Sequence, residues 1–205
     1  MTKLVVMGGS AGAADAIATI CAALAADFPV PVVLVVHVAS NDRKLFDTLV
    51  AQCALPVAYA SDACVAGPGI WIAAPGLNVT VSNASGAVQL HLGRGGNPHL
   101  VQPSINPLFL SAAAEFGGAV LGILLSGFLD DGAEGVRQIK AAGGKVIVQA
   151  PLDAVVPDMP QAALRQLTAD AVLPAAAIGP ALTALVPALP SGAEQGAAME
   201  NLARA

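Results

Sequence analysis

The sequence predicts an α/β protein: a single doubly wound, mostly parallel sheet with helices on both faces and a short antiparallel β excursion. Three observations carry that reading. The runs at residues 32–38 and 120–125 are apolar without polar alternation, as expected of central parallel strands covered on both faces. Between such runs lie stretches whose apolar residues recur at three and four, so strands and helices alternate along the chain. The length, 205 residues, suffices for one well-buried domain and is short for two.

The elements follow in order. Residues 3–7 form a first buried strand, and the turn Gly8-Gly9-Ser10-Ala11-Gly12 leads into a helix over 11–26, with Ile17, Ile20, Cys21 and Leu24 on its apolar face. After the strand at 32–38, Ser40 and Asn41 are N-caps for a helix over 42–53 that buries Leu45, Phe46, Leu49 and Val50. Short β segments at 57–60, 69–73, 79–82 and 87–92 make up the antiparallel excursion, punctuated by Gly67-Pro68, Pro75-Gly76 and Ala84-Ser85-Gly86. A loop over 93–103 is long enough to be functional. A helix over 104–116, the strand 120–125, a helix over 133–142 closed by Gly143-Gly144, and a strand at 145–149 complete the βα alternation. Met159-Pro160 opens a helix to 167, an edge strand follows at 171–173, and a last helix covers 178–186. The domain is expected to span 1–189, with 190–205 a tail of small and polar residues.

Composition narrows the function classes. The chain is 56% apolar, 3% aromatic and 11% charged, with a formal net charge of −5. With no basic cluster and few rings for stacking, nucleic acid is excluded as a partner. The longest greasy run, 28–39, is broken by Pro29, Pro31 and His37 and is too short to span a bilayer, so no membrane insertion is expected. Gly8-Gly9 and Asp15 interrupt any secretory h-region. Cys21, Cys53 and Cys64 are odd in number, without C-x-x-C or a histidine at ligand spacing, which fits reduced thiols in a cytoplasmic protein and no metal site.

The chemistry is concentrated at three strand ends. Gly8-Gly9-Ser10-Ala11-Gly12 has the G-x-S-x-G form of a turn that pushes a serine hydroxyl beyond a sheet edge, and the helix after it adds unpaired N–H groups suited to an oxyanion. A glycine-rich first turn also serves phosphate binding. Against that reading, Ser10 stands where G-x-G-x-x-G needs glycine, the second strand ends in His37 rather than a ribose-binding acid, and no G-x-x-x-x-G-K-[ST] occurs. A serine needs a base and an orienting group. His37 closes the second strand, and Asp130 and Asp131 follow the strand 120–125, so all three candidates fall on the carboxyl edge of one sheet, where ligands bind in this fold class. His91 and His99 are read as surface residues.

The order Ser, His, Asp differs from that of the α/β-hydrolases. The chain instead resembles the catalytic domain of the CheB-type chemotaxis protein-glutamate methylesterases. Their G-A-S-T-G-G is matched by Gly8 to Ala13, their strand-end histidine by His37, and their T-G-M-G-N-D-G-A-x-G by Ser126 to Gly135. Their I-A-P-G is matched by Ala73-Ala74-Pro75-Gly76, their P-S-x-D-x-L-F by Pro103 to Phe109, and their M-P by Met159-Pro160. The resemblance implies Ser10 as nucleophile, His37 as general base and acid, and Asp131 as the residue orienting the imidazole. Backbone groups at Ala11, Gly12 and Phe128 would then face the oxyanion and substrate. It implies hydrolysis of glutamyl methyl esters on the cytoplasmic helices of methylated chemoreceptors, glutamine deamidation in some members, and no cofactor. Because the turn begins at residue 8, a receiver domain would have to be supplied by a separate protein.

Several positions depart from the family pattern. Threonine is replaced by Ala11, methionine by Phe128, histidine by Val79, arginine by Gln102 and aspartate by Asn106. These departures leave an alternative open, a stand-alone signalling or adaptor module of the same fold with weakened catalysis. Of the two adjacent acids, Asp131 is expected to orient His37, kept ionised by N–H donors of the helix that follows it, while Asp130 caps that helix or faces solvent.

Overall fold

A computed structural model describes residues 2–37, 43–95 and 102–190. The first strand, β1 (Leu4–Gly9), is buried along its whole length, and its successive side chains feed two different cores. Leu4 and Val6 join one apolar cluster, Val5 and Met7 the other. This is the period-two alternation of a strand covered on both faces. The chain continues through α1 (Ala13–Ala22), β2 (Pro31–Val36) and α2 (Lys44–Gln52). Then come β3 (Val57–Tyr59), β4 (Val65–Ala66), β5 (Gly69–Ile72), β6 (Asn78–Ala84) and β7 (Ala87–Gly93). The second half comprises α3 (Ile105–Phe116), β8 (Val120–Leu124), α4 (Ala133–Ala141), β9 (Lys145–Gln149), α5 (Asp158–Gln166), β10 (Ala171–Leu173) and α6 (Ala175–Leu185).

Seven strands form one parallel sheet in the order β10-β9-β8-β1-β2-β5-β3. The order runs outward from β1 in one direction through β2 and in the other through β8, which makes the carboxyl ends around β1 the topological switch point where such sheets bind ligands. Apolar residues of α1, α2 and α6 pack on one face. Those of α3, α4 and α5 pack on the other, together with a three-stranded antiparallel sheet, β4-β7-β6. The mostly parallel, doubly wound architecture is therefore the one the sequence predicts.

Several expectations need correction. The β excursion is narrower than the sequence suggests, because β3 and β5 pair parallel within the main sheet and only β4, β6 and β7 leave it. Short strands at the sheet edge carry no local mark of which sheet they join. Gly8 and Gly9 are strand residues rather than turn residues, since the Gly8 carbonyl accepts from Leu125 N–H and the Gly9 carbonyl from His37 N–H. Gly12, at φ 76° before α1, holds that helix back to Ala13 instead of residue 11. In α2 only Leu45 and Leu49 are buried; Val50 is 55% exposed, because the helix rests on the sheet along a single i, i+4 row. The expected caps Ser40 and Asn41, His99, and the tail beyond residue 190 lie outside the described residues.

Candidate active site

Parallel pairing brings the three strand ends together. Gly9 pairs with Val36 across β1 and β2, and Gly8 with Leu124 across β1 and β8. Ser10, His37 and the loop 125–132 thus leave neighbouring strands on the same sheet edge. A cavity of about 600 Å³ opens there, and Ser10, His37, Phe128 and Asp131 all line it. Ala11 and Gly12 are not part of its wall; they continue the turn beside it. Asn78, Gln102, Ser104 and Asn106 supply neutral polar groups to the wall, while Pro107, Leu110 and Leu129 make it apolar.

His37 Nε2 lies 2.9 Å from Asp131 Oδ2, with 14% and 23% of the two side chains exposed. An ionised carboxylate only accepts hydrogen bonds, so Nε2 carries the proton and Nδ1 of the neutral ring is left as the base. Among the described residues the Ser10 hydroxyl makes no hydrogen bond to the imidazole, a spacing that commonly tightens when substrate binds.

The donors that hold Asp131 are not those expected from the sequence. Its Oδ2 accepts from Ile105 N–H at 2.7 Å and its Oδ1 from Asn106 N–H at 3.1 Å, so the N-terminus of α3, not of α4, grips the carboxylate. These first-turn N–H groups have no partner inside their own helix and lie at the positive end of its dipole. Burial pushes the Asp131 carboxyl up, but the hydrogen bonds from His37, Ile105 and Asn106 outweigh it and hold the group below its usual range. Asn106 returns the favour: its Oδ1 accepts from Gly135 N–H in the first turn of α4 at 2.9 Å. The two helix starts therefore cap each other across the site. Asp130 is exposed and only its carbonyl bonds, to Ala133 N–H at 3.0 Å.

The backbone around Ser10 is equally constrained. Ser10 N–H donates to the Ser126 carbonyl at 2.8 Å, and the Ser10 carbonyl accepts from Ala13 N–H at 3.0 Å. A Cβ on Gly127 would stand 2.8 Å from Ser10 Cβ and 2.3 Å from Met159 Sδ, so only glycine lets the loop after β8 approach the serine this closely.

Comparison with known proteins decides what this arrangement belongs to. The family model for CheB methylesterase matches residues 5–182. The chain belongs to the CheB methylesterase family. It is 37% identical over 187 residues to a protein-glutamate methylesterase/protein-glutamine glutaminase of Moorella thermoacetica, covering 90% of this chain and 44% of that one. A relative of the same name in Anaeromyxobacter dehalogenans is 36% identical over 186 residues, covering 89% and 51%. The chain thus spans about half the length of these curated relatives. The crystal structure of the Thermotoga maritima CheB methylesterase catalytic domain matches with a TM-score of 0.86 at 29% identity, covering 91% of this chain and all of that one.

The departures from the CheB pattern read differently in three dimensions. Val79 is fully buried in the core beneath the antiparallel sheet, and the polar place beside it on the cavity wall is taken by Asn78, whose Oδ1 accepts from Ser104 N–H at 2.8 Å. Asn106 keeps two structural bonds that an aspartate could also make, one donated by its backbone N–H and one accepted by its side-chain oxygen. At these positions the polar lining is neutral rather than lost. Sequence reasoning missed the role of Ile105 and Asn106 N–H, because backbone donors at a distant helix start leave no side-chain signal; the only trace was the P-S-x-D-like segment that begins α3.

Proposed function

We propose that this chain is a serine hydrolase of carboxylic esters, acting on glutamyl methyl esters of chemoreceptors. The single observation that carries the reading is the His37–Asp131 hydrogen bond in a cavity that Ser10 also lines. In the forward half-reaction, Ser10 Oγ attacks the ester carbonyl as His37 Nδ1 takes the hydroxyl proton. The tetrahedral intermediate expels methanol, which leaves with that proton, and an acyl-Ser10 remains. Water then attacks the acyl group, again deprotonated by His37, and releases the glutamate carboxylate and free Ser10. An amide would follow the same course with ammonia as the leaving group, which is the glutaminase activity in the relatives' names.

Peptide planarity supports Ala11 and Phe128 as oxyanion donors. The carbonyl of the Ser10–Ala11 peptide is turned to Ala13, and that of the Gly127–Phe128 peptide accepts from Met159 N–H at 3.0 Å. In each planar trans peptide the N–H points opposite to the carbonyl, so Ala11 N–H faces away from the start of α1 and Phe128 N–H away from α5. Beyond Asp130 and Asp131, the cavity wall carries neutral polar groups and apolar carbons, which suits an uncharged ester side chain. No step needs a cofactor or metal. Among the described residues no helix is long and apolar enough to cross a membrane. We place the protein in the cytoplasm, with residues 1–189 as the catalytic domain and a separate receiver-domain protein among its partners.

Methanol release from methylated chemoreceptor tests the proposal, with complete loss expected in Ser10→Ala. Labelling of Ser10 by a fluorophosphonate should accompany it. A folded protein that takes no label and releases no methanol would instead support the non-catalytic adaptor reading.

A further inference from the structure

Only two polar side chains, Ser126 and Gln149, are fully buried among the described residues, at 0% and 2% exposure, and they are bonded to each other's segments. Neither takes part in the proton transfers above. Ser126 holds the nucleophile turn at both ends. Its carbonyl accepts from Ser10 N–H at 2.8 Å, and its Oγ donates to the Ala11 carbonyl at 2.7 Å. A hydroxyl has one proton. The more distant Val156 carbonyl, at 3.3 Å, already accepts from Gly127 N–H, so the proton goes to Ala11. The same Oγ accepts from Val156 N–H at 2.9 Å, tying in the loop after β9.

Gln149, at the end of β9, fixes Ser126 in turn. Its Oε1 accepts from Ser126 N–H at 2.9 Å, and its Nε2 donates to Asp153 Oδ2 at 2.8 Å. Asp153 Oδ2 also accepts from Ala175 N–H in the first turn of α6 at 2.9 Å, and these two bonds hold its carboxyl below the usual range. A continuous chain of hydrogen bonds therefore runs from the start of α6 through Asp153, Gln149 and Ser126 to Ser10 and Ala11.

We infer that Ser126 is a positioning residue for the nucleophile turn, held in register by Gln149 and Asp153. With the Ser10 carbonyl turned to Ala13 and the Ala11 carbonyl to Ser126 Oγ, both peptide planes after the nucleophile are fixed. Ala11 N–H then has a single direction before substrate arrives, which is the preorganisation an oxyanion donor requires. Without the hydroxyl the Ala11–Gly12 peptide is free to rotate, and Val156 N–H loses its acceptor. Ser126→Thr keeps the hydroxyl and with it the clamp. This inference rests on the hydrolase reading for its kinetic consequence but not for its structural one.

The test compares wild type, Ser126→Ala, Ser126→Thr and Asp153→Ala on p-nitrophenyl acetate, normalised to the fraction of Ser10 titrated by a fluorophosphonate. Amide hydrogen exchange of residues 10–13 is measured on the same proteins. Ser126→Ala is expected to lose about a hundredfold in kcat with little change in KM, Ser126→Thr to retain wild-type kcat within about threefold, and exchange at 10–13 to rise in Ser126→Ala but not in Ser126→Thr. Asp153 is exposed, so Asp153→Ala keeps the fold even if Ser126→Ala does not. A several-fold loss in kcat with the same rise in exchange supports the clamp. Unchanged kcat and unchanged exchange in folded Ser126→Ala and Asp153→Ala overturn it, as does an equal defect in Ser126→Thr. If wild type neither takes label nor cleaves the ester, the hydrolase reading fails, and hydrogen exchange alone then decides for or against the clamp.

Discussion

The loop after β1 reaches its helix within residues 10–12, whereas the loop after β8 spans residues 125–132 before α4 begins. Both leave neighbouring strands, and both end in a left-handed glycine, Gly12 at φ 76° and Gly132 at φ 89°. They differ in what holds them. The short loop is closed by its own Ala13-to-Ser10 bond and is pinned from outside by a single residue, Ser126. The long loop is held from outside: α3 donates to Asp131, Asn106 accepts from Gly135, and residues 156 and 159 bond the backbone of Gly127. The nucleophile is set by its own turn and one neighbour; the acid that orients its base here is set by two distant segments, the start of α3 and residues 156–159.

If that contrast is right, the largest effects come from the externally held acid. Asp131→Asn should cut kcat by roughly four orders of magnitude, as the wrong histidine tautomer does in serine-protease triads. Asp130→Asn, at an exposed position one residue earlier, should stay within a few-fold of wild type on the same ester. A larger defect at Asp130 would reverse the assignment. The same carboxylate has a signature in acid. Its folded-state pKa is depressed below the unfolded one, so its contribution to stability is present above the unfolded pKa and is lost as pH falls through the folded pKa. Urea midpoints followed downward from pH 5 should therefore show an acid limb in wild type that is weaker in Asp131→Asn. Parallel curves would mean that the α3 donors do not favour the ionised form.

The next effect comes from the point where the two loops touch. Gly127→Ala places a methyl group 2.8 Å from Ser10 Cβ and 2.3 Å from Met159 Sδ. Overpacking of this kind costs about 1–3 kcal/mol, and a displacement of the nucleophile by about 1 Å can cost a hundredfold in rate. Adding Met159→Ala relieves the methionine contact and not the serine contact. Because Met159 is fully buried, its truncation opens a cavity of its own, so the rate is the readout: the double variant should stay slow, and recovery of kcat would show that the methionine, not the serine, senses this loop.

What could be read from the sequence follows the same division. Hydrophobic runs without alternation gave the central strands β1, β2 and β8, because burial on both faces is written into residue type. Ser10, His37 and Asp131 could be brought to one edge on the parallel-sheet rule alone, and the Gly9–Val36 and Gly8–Leu124 pairings place their segments there. The membership of β3 and β5 in the parallel sheet was not legible, since strands of three or four residues near the end of a sheet pair wherever the crossover delivers them. The α3 grip on Asp131 was not legible either, for it is made by backbone N–H groups that every sequence possesses. Ser126 was visible only as a motif position, and its buried bonds depend on the loop after β9 closing over it.

The smallest effect concerns strain in the long loop. Leu129 has φ 64° and is 77% exposed, on the wall of the cavity. The left-handed region costs an L-residue with a Cβ about 1–2 kcal/mol, and a side chain this exposed recovers little of that by packing. Glycine carries no such penalty, although it adds about 0.4–1 kcal/mol of unfolded-chain entropy. Leu129→Gly should therefore be more stable than wild type by about 0.5–1 kcal/mol, a rise of a few degrees in Tm for a chain of this length. Leu129→Ala is the informative control, because it removes the leucine and keeps the Cβ. If strain is the cause, alanine gains nothing and only glycine stabilises. If both gain equally, the exposed leucine rather than the backbone is the source, and the long loop stores no strain that the short loop, with glycine at its left-handed position, avoids.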